Sequence, residues 1–274
     1  MINIMLLIRS VVFILIYTYS FHLYAVPDKS QLMNEVFIIN GEVSNLKGRG
    51  ENFDSKYTPC STFATIVTLV AYDLDVFSKD VDRKNSQVPT FKEWSKCIKS
   101  QSRNLLSPVN LHCSGYMRSI IKKIGQKQLQ HYIDKINYGN KNLSGYNNSE
   151  NSFISSYNSS SLTISLTEQA KLMEKLALNK LPFSIKSQEE LKKIMFIGME
   201  KGKRKRYEMD ATCLLSDEKC NPILNRVISW RIGFLQNNSE TIGYAGSNIS
   251  LEDDTDVENG FGSMIDTIIA KGLE

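Results

Sequence analysis

A chain of 274 residues, 42% hydrophobic and 23% charged, has ordinary globular composition and enough apolar material for a sizeable core. Its formal charge of +4 is too mild for a dedicated nucleic-acid binder, whose basic residues dominate one face. Three histidines, one of them His22 in the apolar leader, leave little material for a zinc centre, and no cofactor is implied.

Residues 1–25 are almost wholly apolar, broken by Arg9 and then by Ser10, Thr18, Ser20 and His22. The apolar stretch Val11–Tyr17, the segment Leu23-Tyr24-Ala25 and Pro27 just beyond read as a secretory leader with cleavage after Ala25. Leu23 is larger than the residue usual there, so an uncleaved membrane anchor is the alternative. Either way the remaining domain, 26–274, is expected to be exported and periplasmic, touching membrane only through that leader. Five cysteines permit two disulfides at most. Cys213 and Cys220 bracket a plausible hairpin clasp and Cys97 and Cys113 can also meet, while small core residues are the plain alternative.

Further along, Glu35–Asn40 reads as a strand ending at Gly41, followed by a loop rich in Gly, Asn and Lys. Helical spacing begins at Ser61, with Phe63, Ile66, Val67, Val70 and Ala71 recurring, and Ser61 is well placed as an N-cap. Residues 89–139 look mainly helical, and the polar stretch 140–161 reads as an extended loop. Ser165 with Glu168 and Ser187 with Glu190 form capping boxes that open two more helices. The basic run Lys201–Arg206 reads as a solvated turn between a helix and a strand, since nothing aromatic is interleaved for stacking. Tyr207–Cys213, Val227–Leu235 and Thr241–Asn248 are strand-like, with a hairpin turn at Asn237-Asn238-Ser239. An acidic loop over 252–256 leads to a final apolar helix containing Met264. One early strand, a helical middle, an antiparallel meander and a closing helix predict a single α+β domain.

Several short motifs in fixed order resemble the class D serine β-lactamases. Tyr57-Thr58-Pro59-Cys60-Ser61-Thr62-Phe63-Ala64 is similar to the family's active-site segment, in which Ser-Thr-Phe-Lys follows a proline and a small residue. Ser107-Pro108-Val109 resembles its Ser-x-Val, Tyr138-Gly139-Asn140 its Tyr-Gly-Asn, and Trp230-Arg231-Ile232-Gly233-Phe234 its Trp-x-x-Gly-Trp strand. Leu162–Ser165 with Glu168-Gln169, and Lys180-Leu181-Pro182-Phe183-Ser184, are further echoes. The resemblance implies a DD-peptidase/β-lactamase-like fold, an antiparallel sheet flanked by helices with a mainly helical subdomain. It also implies lactam opening through an acyl-enzyme at Ser61, with a base three residues on and Ser107 as the proton relay. Val109 and the stretch Asp210, Ala211, Thr212 would then face the substrate, a β-lactam or a peptidoglycan stem peptide.

The departures from the family are concentrated in that machinery. Ala64 stands where the family has the lysine base, and alanine can neither take a proton nor carry a carbamate. A positioned base contributes about 10²–10⁴-fold, so β-lactam hydrolysis is expected to be impaired. The family's Lys-Thr-Gly should fall within 207–213, which places its lysine at Asp210 or at Ala211, depending on register. The family's loop tryptophan is replaced by the sequence Phe153-Ile154-Ser155, and Gly262-Ser263-Met264 lies where its substrate-binding arginine would be sought. Three readings follow: a hydrolytically impaired family member, a non-catalytic module that binds or senses β-lactam or stem peptide, or a weak enzyme borrowing a lysine such as Lys122 or Lys123. In a fourth, purely structural reading, Ser61 is a helix cap, Ser107 a loop residue and Tyr138-Gly139-Asn140 a turn. Cys60, beside Ser61, is a minor candidate nucleophile without a nearby histidine to activate it.

Overall fold

The computed structural model describes residues 33–39, 41–47, 53–77, 87–100, 108–145, 152–158, 161–200, 203–216 and 222–251. The leader, Ser107, Cys220 and the expected final helix with Met264 lie outside them.

The apolar alternation near the C-terminus builds the centre of the molecule. Strands β6 (Arg204–Ser216), β7 (Pro222–Gln236) and β8 (Thr241–Leu251) form an antiparallel meander. β6 pairs with β7 from Lys205↔Gln236 to Leu214↔Val227, and β7 with β8 from Arg226↔Leu251 to Gln236↔Thr241. The hairpin between β7 and β8 turns on Asn237, whose side-chain oxygen accepts from the Ser239 (2.9 Å) and Glu240 (2.8 Å) amides. On the other side, β1 (Met33–Ile39) joins β8, and β2 (Glu42–Lys47) joins β1. β5 (Phe196–Glu200) closes the opposite edge, giving the order β2-β1-β8-β7-β6-β5. A separate two-residue ladder joins β3 (Lys56–Tyr57) to β4 (Ile164–Ser165).

Among the described residues six α-helices accompany the sheet: α1 (Ala64–Asp73), α2 (Phe91–Lys99), α3 (Pro108–Ile124), α4 (Gln126–Ile136), α5 (Leu166–Ala177) and α6 (Ile185–Met195). α1 is apolar nearly all round because it is buried nearly all round, from Ala64 to Ala71. Its two interior threonines are satisfied by the preceding turn: Thr65 donates to the Thr62 carbonyl (2.8 Å) and Thr68 to that of Ala64 (2.6 Å). The Trp94 indole from α2 donates to the Thr68 hydroxyl (2.7 Å).

Strand alternation divides the sheet into two chemistries. The helix-side face carries Met209, Ala211, Ile228, Trp230, Ile232 and Phe234 into the main core. The far face carries a smaller cluster of Phe37, Leu235, Ile242 and Tyr244. Beside that cluster the Tyr244 hydroxyl donates to Glu208 (2.7 Å), and Arg206 forks onto the same carboxylate. Arg231 grips Asp210 with two bonds (2.8 and 3.0 Å). Burial alone would lower the Arg231 pKa, but its bonds to Asp210 and the Glu208 charge outweigh that and hold it firmly protonated.

Several sequence expectations are corrected. β2 occupies part of the Gly-, Asn- and Lys-rich stretch read as loop, and as an edge strand it needs no apolar run. The strand β5 precedes the basic run, so the turn at Lys203 joins two strands, and Arg206 is buried against Glu200 and Glu208. α6 starts one turn earlier than the Ser187–Glu190 box implied: Ser184 is its cap, accepting from the Ser187 amide (3.1 Å), and Ser187 is buried within it. The Ser165–Glu168 box stands as read, and α2 carries a second box, Thr90 with Glu93. The polar stretch before β4 includes a 3₁₀ turn, Ser152–Asn158. Two disulfides form: Cys97–Cys113, and Cys60–Cys213 instead of a Cys213–Cys220 clasp.

Candidate functional site

Ser61 sits on a short 3₁₀ turn, Cys60–Phe63, that runs directly into α1. Pro59 caps the turn without a side-chain bond, and Ser61 lies inside it, so the serine is not an N-cap. Residues three apart eclipse in a 3₁₀ turn, which stacks position 64 over position 61. Ser61 is partly exposed, whereas Ala64 is buried. No hydrogen bond engages the Ser61 hydroxyl among the described residues.

Ties from distant parts of the chain hold this turn. The Trp230 indole on β7 donates to the Thr58 carbonyl (2.9 Å), and the Thr58 hydroxyl donates to the Tyr157 carbonyl (2.7 Å). Thr62 donates to the Pro59 carbonyl (2.6 Å) while accepting from the Gln169 amide of α5 (2.9 Å). Phe63 packs between Tyr138 (ring centroids 5.5 Å) and Tyr157 (6.1 Å). Cys60 adopts a left-handed backbone (φ 52°) and is bonded to Cys213 of β6, with their Cα atoms 5.6 Å apart. Its sulfur is therefore not a free nucleophile.

Tyr138-Gly139-Asn140 supports the site from below. Asn140 exchanges bonds with 161–163: its amide N–H donates to the Thr163 carbonyl (2.9 Å), its side-chain nitrogen to Ser161 (2.7 Å), and its side-chain oxygen accepts from the Thr163 amide (3.0 Å). Gly139 has φ 52°, and a Cβ there would lie 1.9 Å from the Thr163 oxygen. Burial pushes the Tyr138 phenol well above its ordinary range, and burial pushes Tyr157 up to about 12. The Tyr138 hydroxyl and the Gln169 side-chain oxygen are buried without a hydrogen-bond partner among the described residues.

The wall facing Ser61 is β6. Cys213 and Ala211 share the helix-side face, while Asp210 and Thr212 point to the far face. Asp210 is committed to Arg231 there, and Thr212 shares a hydroxyl bond with Ser229 (2.9 Å). Val109 lies in the first turn of α3, and Phe153 is buried in the 3₁₀ turn Ser152–Asn158. Lys122 and Lys123 are exposed at the C-terminal end of α3. Among the described residues Lys192 is the buried lysine, and its amine is spent on the Ala177 carbonyl (2.9 Å) and Glu189 (3.0 Å). The sequence reading missed the Cys60–Cys213 link and the Trp230–Thr58 bond. One signal was available: each cysteine adjoins or lies within a motif-bearing segment.

A serine on a turn entering a buried helix, walled by an antiparallel strand and floored by a Tyr-Gly-Asn turn, defines a class D β-lactamase-like α+β domain. The solved class D β-lactamase OXA-427 superposes with a TM-score of 0.68 at 20% identity, over 86% of this chain and 98% of that one. The C-terminal domain of the Bacillus licheniformis BlaR penicillin-receptor superposes with a TM-score of 0.64 at 20% identity, over 88% and 90% of the two chains. The chain belongs to the penicillin binding protein transpeptidase domain family, whose model matches residues 31–212. It is also 26% identical, over 222 residues, to the methicillin resistance mecR1 protein of Staphylococcus aureus, across 80% of this chain. It spans about a third (34%) of the length of that relative.

Proposed function

We propose that this chain is an exported penicillin-recognising domain in which Ser61 is the acylation position and hydrolysis is impaired. The observation that carries the reading is Ala64: it lies buried one turn beyond a partly exposed serine, where a base would have to stand. In the reaction implied by family resemblance, the Ser61 hydroxyl adds to the lactam carbonyl, the C–N bond breaks, and Ser107 passes a proton to the leaving nitrogen. Without a base to take the hydroxyl proton, the first step is slow, and activating a water for deacylation is slower still. Ligand contacts on the strand wall would come from Ala211 and the edge of β6, with Asp210 and Thr212 set back on the far face, and Val109 is a further contact implied by the family resemblance alone. The likeness to a penicillin-receptor domain as well as to β-lactamases supports recognition without efficient turnover as the role.

Incubating the full chain with a fluorescent penicillin, followed by intact-mass measurement, tests recognition. A chromogenic cephalosporin tests hydrolysis: turnover near the ordinary enzyme value of about 10 s⁻¹ overturns the impairment. N-terminal sequencing of protein from the cell envelope tests export. A start near Val26 supports a cleaved leader, and a start at Met1 supports an anchor.

A further inference from the structure

We infer that the Cys60–Cys213 disulfide is a thiol-exchange latch across the Ser61 cleft, opened by an external dithiol. The inference rests on the reading of Ser61 as the acylation position.

The bond joins the residue immediately before Ser61 to the strand that walls the site. Its two Cα atoms are 5.6 Å apart, so the gap between turn and strand is bridged covalently beside the serine. A ligand that laid its edge along β6 to bring a carbonyl to Ser61 would have to pass beside that bond. The register sharpens the point. Ala211 faces the site, so if it holds the lysine position of Lys-Thr-Gly, Cys213 holds the glycine position. Glycine leaves a strand open to close approach, and a bridged cysteine fills the same space.

The two sulfurs are unequally placed for exchange. Cys60 is fully buried and Cys213 is partly exposed, so Cys213 is the side from which an external thiolate would approach. Its attack forms a mixed disulfide at Cys213 and expels the Cys60 thiolate, which takes up a proton. The second thiol of the same dithiol then attacks the mixed disulfide, releasing Cys213 as a thiol and the reagent as its own disulfide. Two electrons pass from dithiol to cystine. The turn keeps its seat afterwards, because the Trp230–Thr58, Thr58–Tyr157 and Gln169–Thr62 bonds do not depend on the sulfurs.

The test restores an amine beside the serine, so that chemistry can report access. The full chain carrying Ala64→Lys is compared with the same chain carrying Cys60→Ala and Cys213→Ala as well. Each is assayed untreated and after dithiothreitol, and penicillin adduct is followed by intact mass. Ser61→Ala serves as the control that the adduct is on the serine, and melting curves verify folding. The expected result is adduct formation at least about tenfold faster after reduction of the disulfide-bearing chain. The chain lacking both cysteines should be fast without dithiothreitol and unchanged by it, although its Cys97–Cys113 bond is still reducible. Equal rates in all forms would overturn the latch and leave the Ser61 reading intact. Adduct lost on reduction of a folded chain would also overturn it and make the bond a clasp that organises the site. No adduct in any folded form would overturn the Ser61 reading, and the latch with it.

Discussion

Replacing Trp230 by Phe isolates what holds the serine turn in place. The indole is buried, and its N–H is the bond that satisfies the Thr58 carbonyl (2.9 Å). Stranding a buried acceptor costs about 1–3 kcal/mol, and the smaller ring leaves a void worth about 1–2 kcal/mol more. A total near 3 kcal/mol lowers the melting temperature of a domain this size by about 6–12 °C. Trp94→Phe is the matched control. It removes a bond of similar length (2.7 Å) from an equally buried indole, but the Thr68 hydroxyl it leaves behind still donates to Ala64 (2.6 Å). That variant should cost at least about 1 kcal/mol less, since no group is left wholly unpaired. Thermal melts followed by circular dichroism measure both, and amide exchange over 58–63 should accelerate in Trp230→Phe alone. Equal melting shifts, or unchanged exchange in Trp230→Phe, would refute the claim that this bond anchors the turn.

Three further outcomes are expected. Gly139→Ala should destabilise the fold severely, by about 3 kcal/mol or more, because its Cβ would overlap the Thr163 oxygen at a positive φ; denaturant unfolding measures it. Cys97→Ser with Cys113→Ser should cost about 3 kcal/mol, as expected for a loop with a sequence separation of 16, and should leave the Cys60–Cys213 bond intact by mass. Stability should be fully present below about pH 10 and fall as pH rises towards 12, because burial raises the Tyr157 pKa from an ordinary value near 10 to about 12 in the folded chain. A pH titration following circular dichroism together with phenolate absorbance checks this last point. Because all 12 tyrosines contribute phenolate, Tyr157→Phe is the comparison, and an equal fall in stability in both chains between pH 10 and 12 would contradict it.

The meander was legible because β7 alternates apolar residues between polar ones and Asn237 marks its turn. The helix at Ser165 was legible because a capping box is a local code. What stayed hidden was set by distance. Cys213 has a nearer candidate partner in Cys220, and only the folded sheet brings Cys60, 153 residues away, to it. Ser187 resembles a cap in sequence because a glutamate follows three residues on, yet Ser184 already satisfies its amide. β2 is hidden in sequence because an edge strand needs little apolar signal, and β5 because its apolar run over 196–199 lacks alternation and leaves Phe196, Ile197 and Met199 exposed. At the site, the motifs single out Ser61 and Ala64, and the structure puts these two residues one turn apart at the start of α1. The one-residue ambiguity between Asp210 and Ala211 could not be settled from text alone, since it is a choice between opposite faces of a strand.

Gly233 bears on how the strands find their alignment. A Cβ there would lie 2.2 Å from the Tyr207 oxygen and 2.6 Å from the Tyr244 hydroxyl, which needs that space to reach Glu208. Sliding β7 along β8 by two residues preserves the inside–outside pattern, so hydrophobic burial alone discriminates poorly against it. Such a slip would bring Arg231 or Leu235 opposite Tyr244, where no side chain fits. The glycine and the tyrosine thus work as a key in a slot, counting residues along the sheet. Correct counting is also what puts Trp230 under Thr58 and Cys213 beside Cys60, so the position of the serine turn is decided at a glycine on the opposite face.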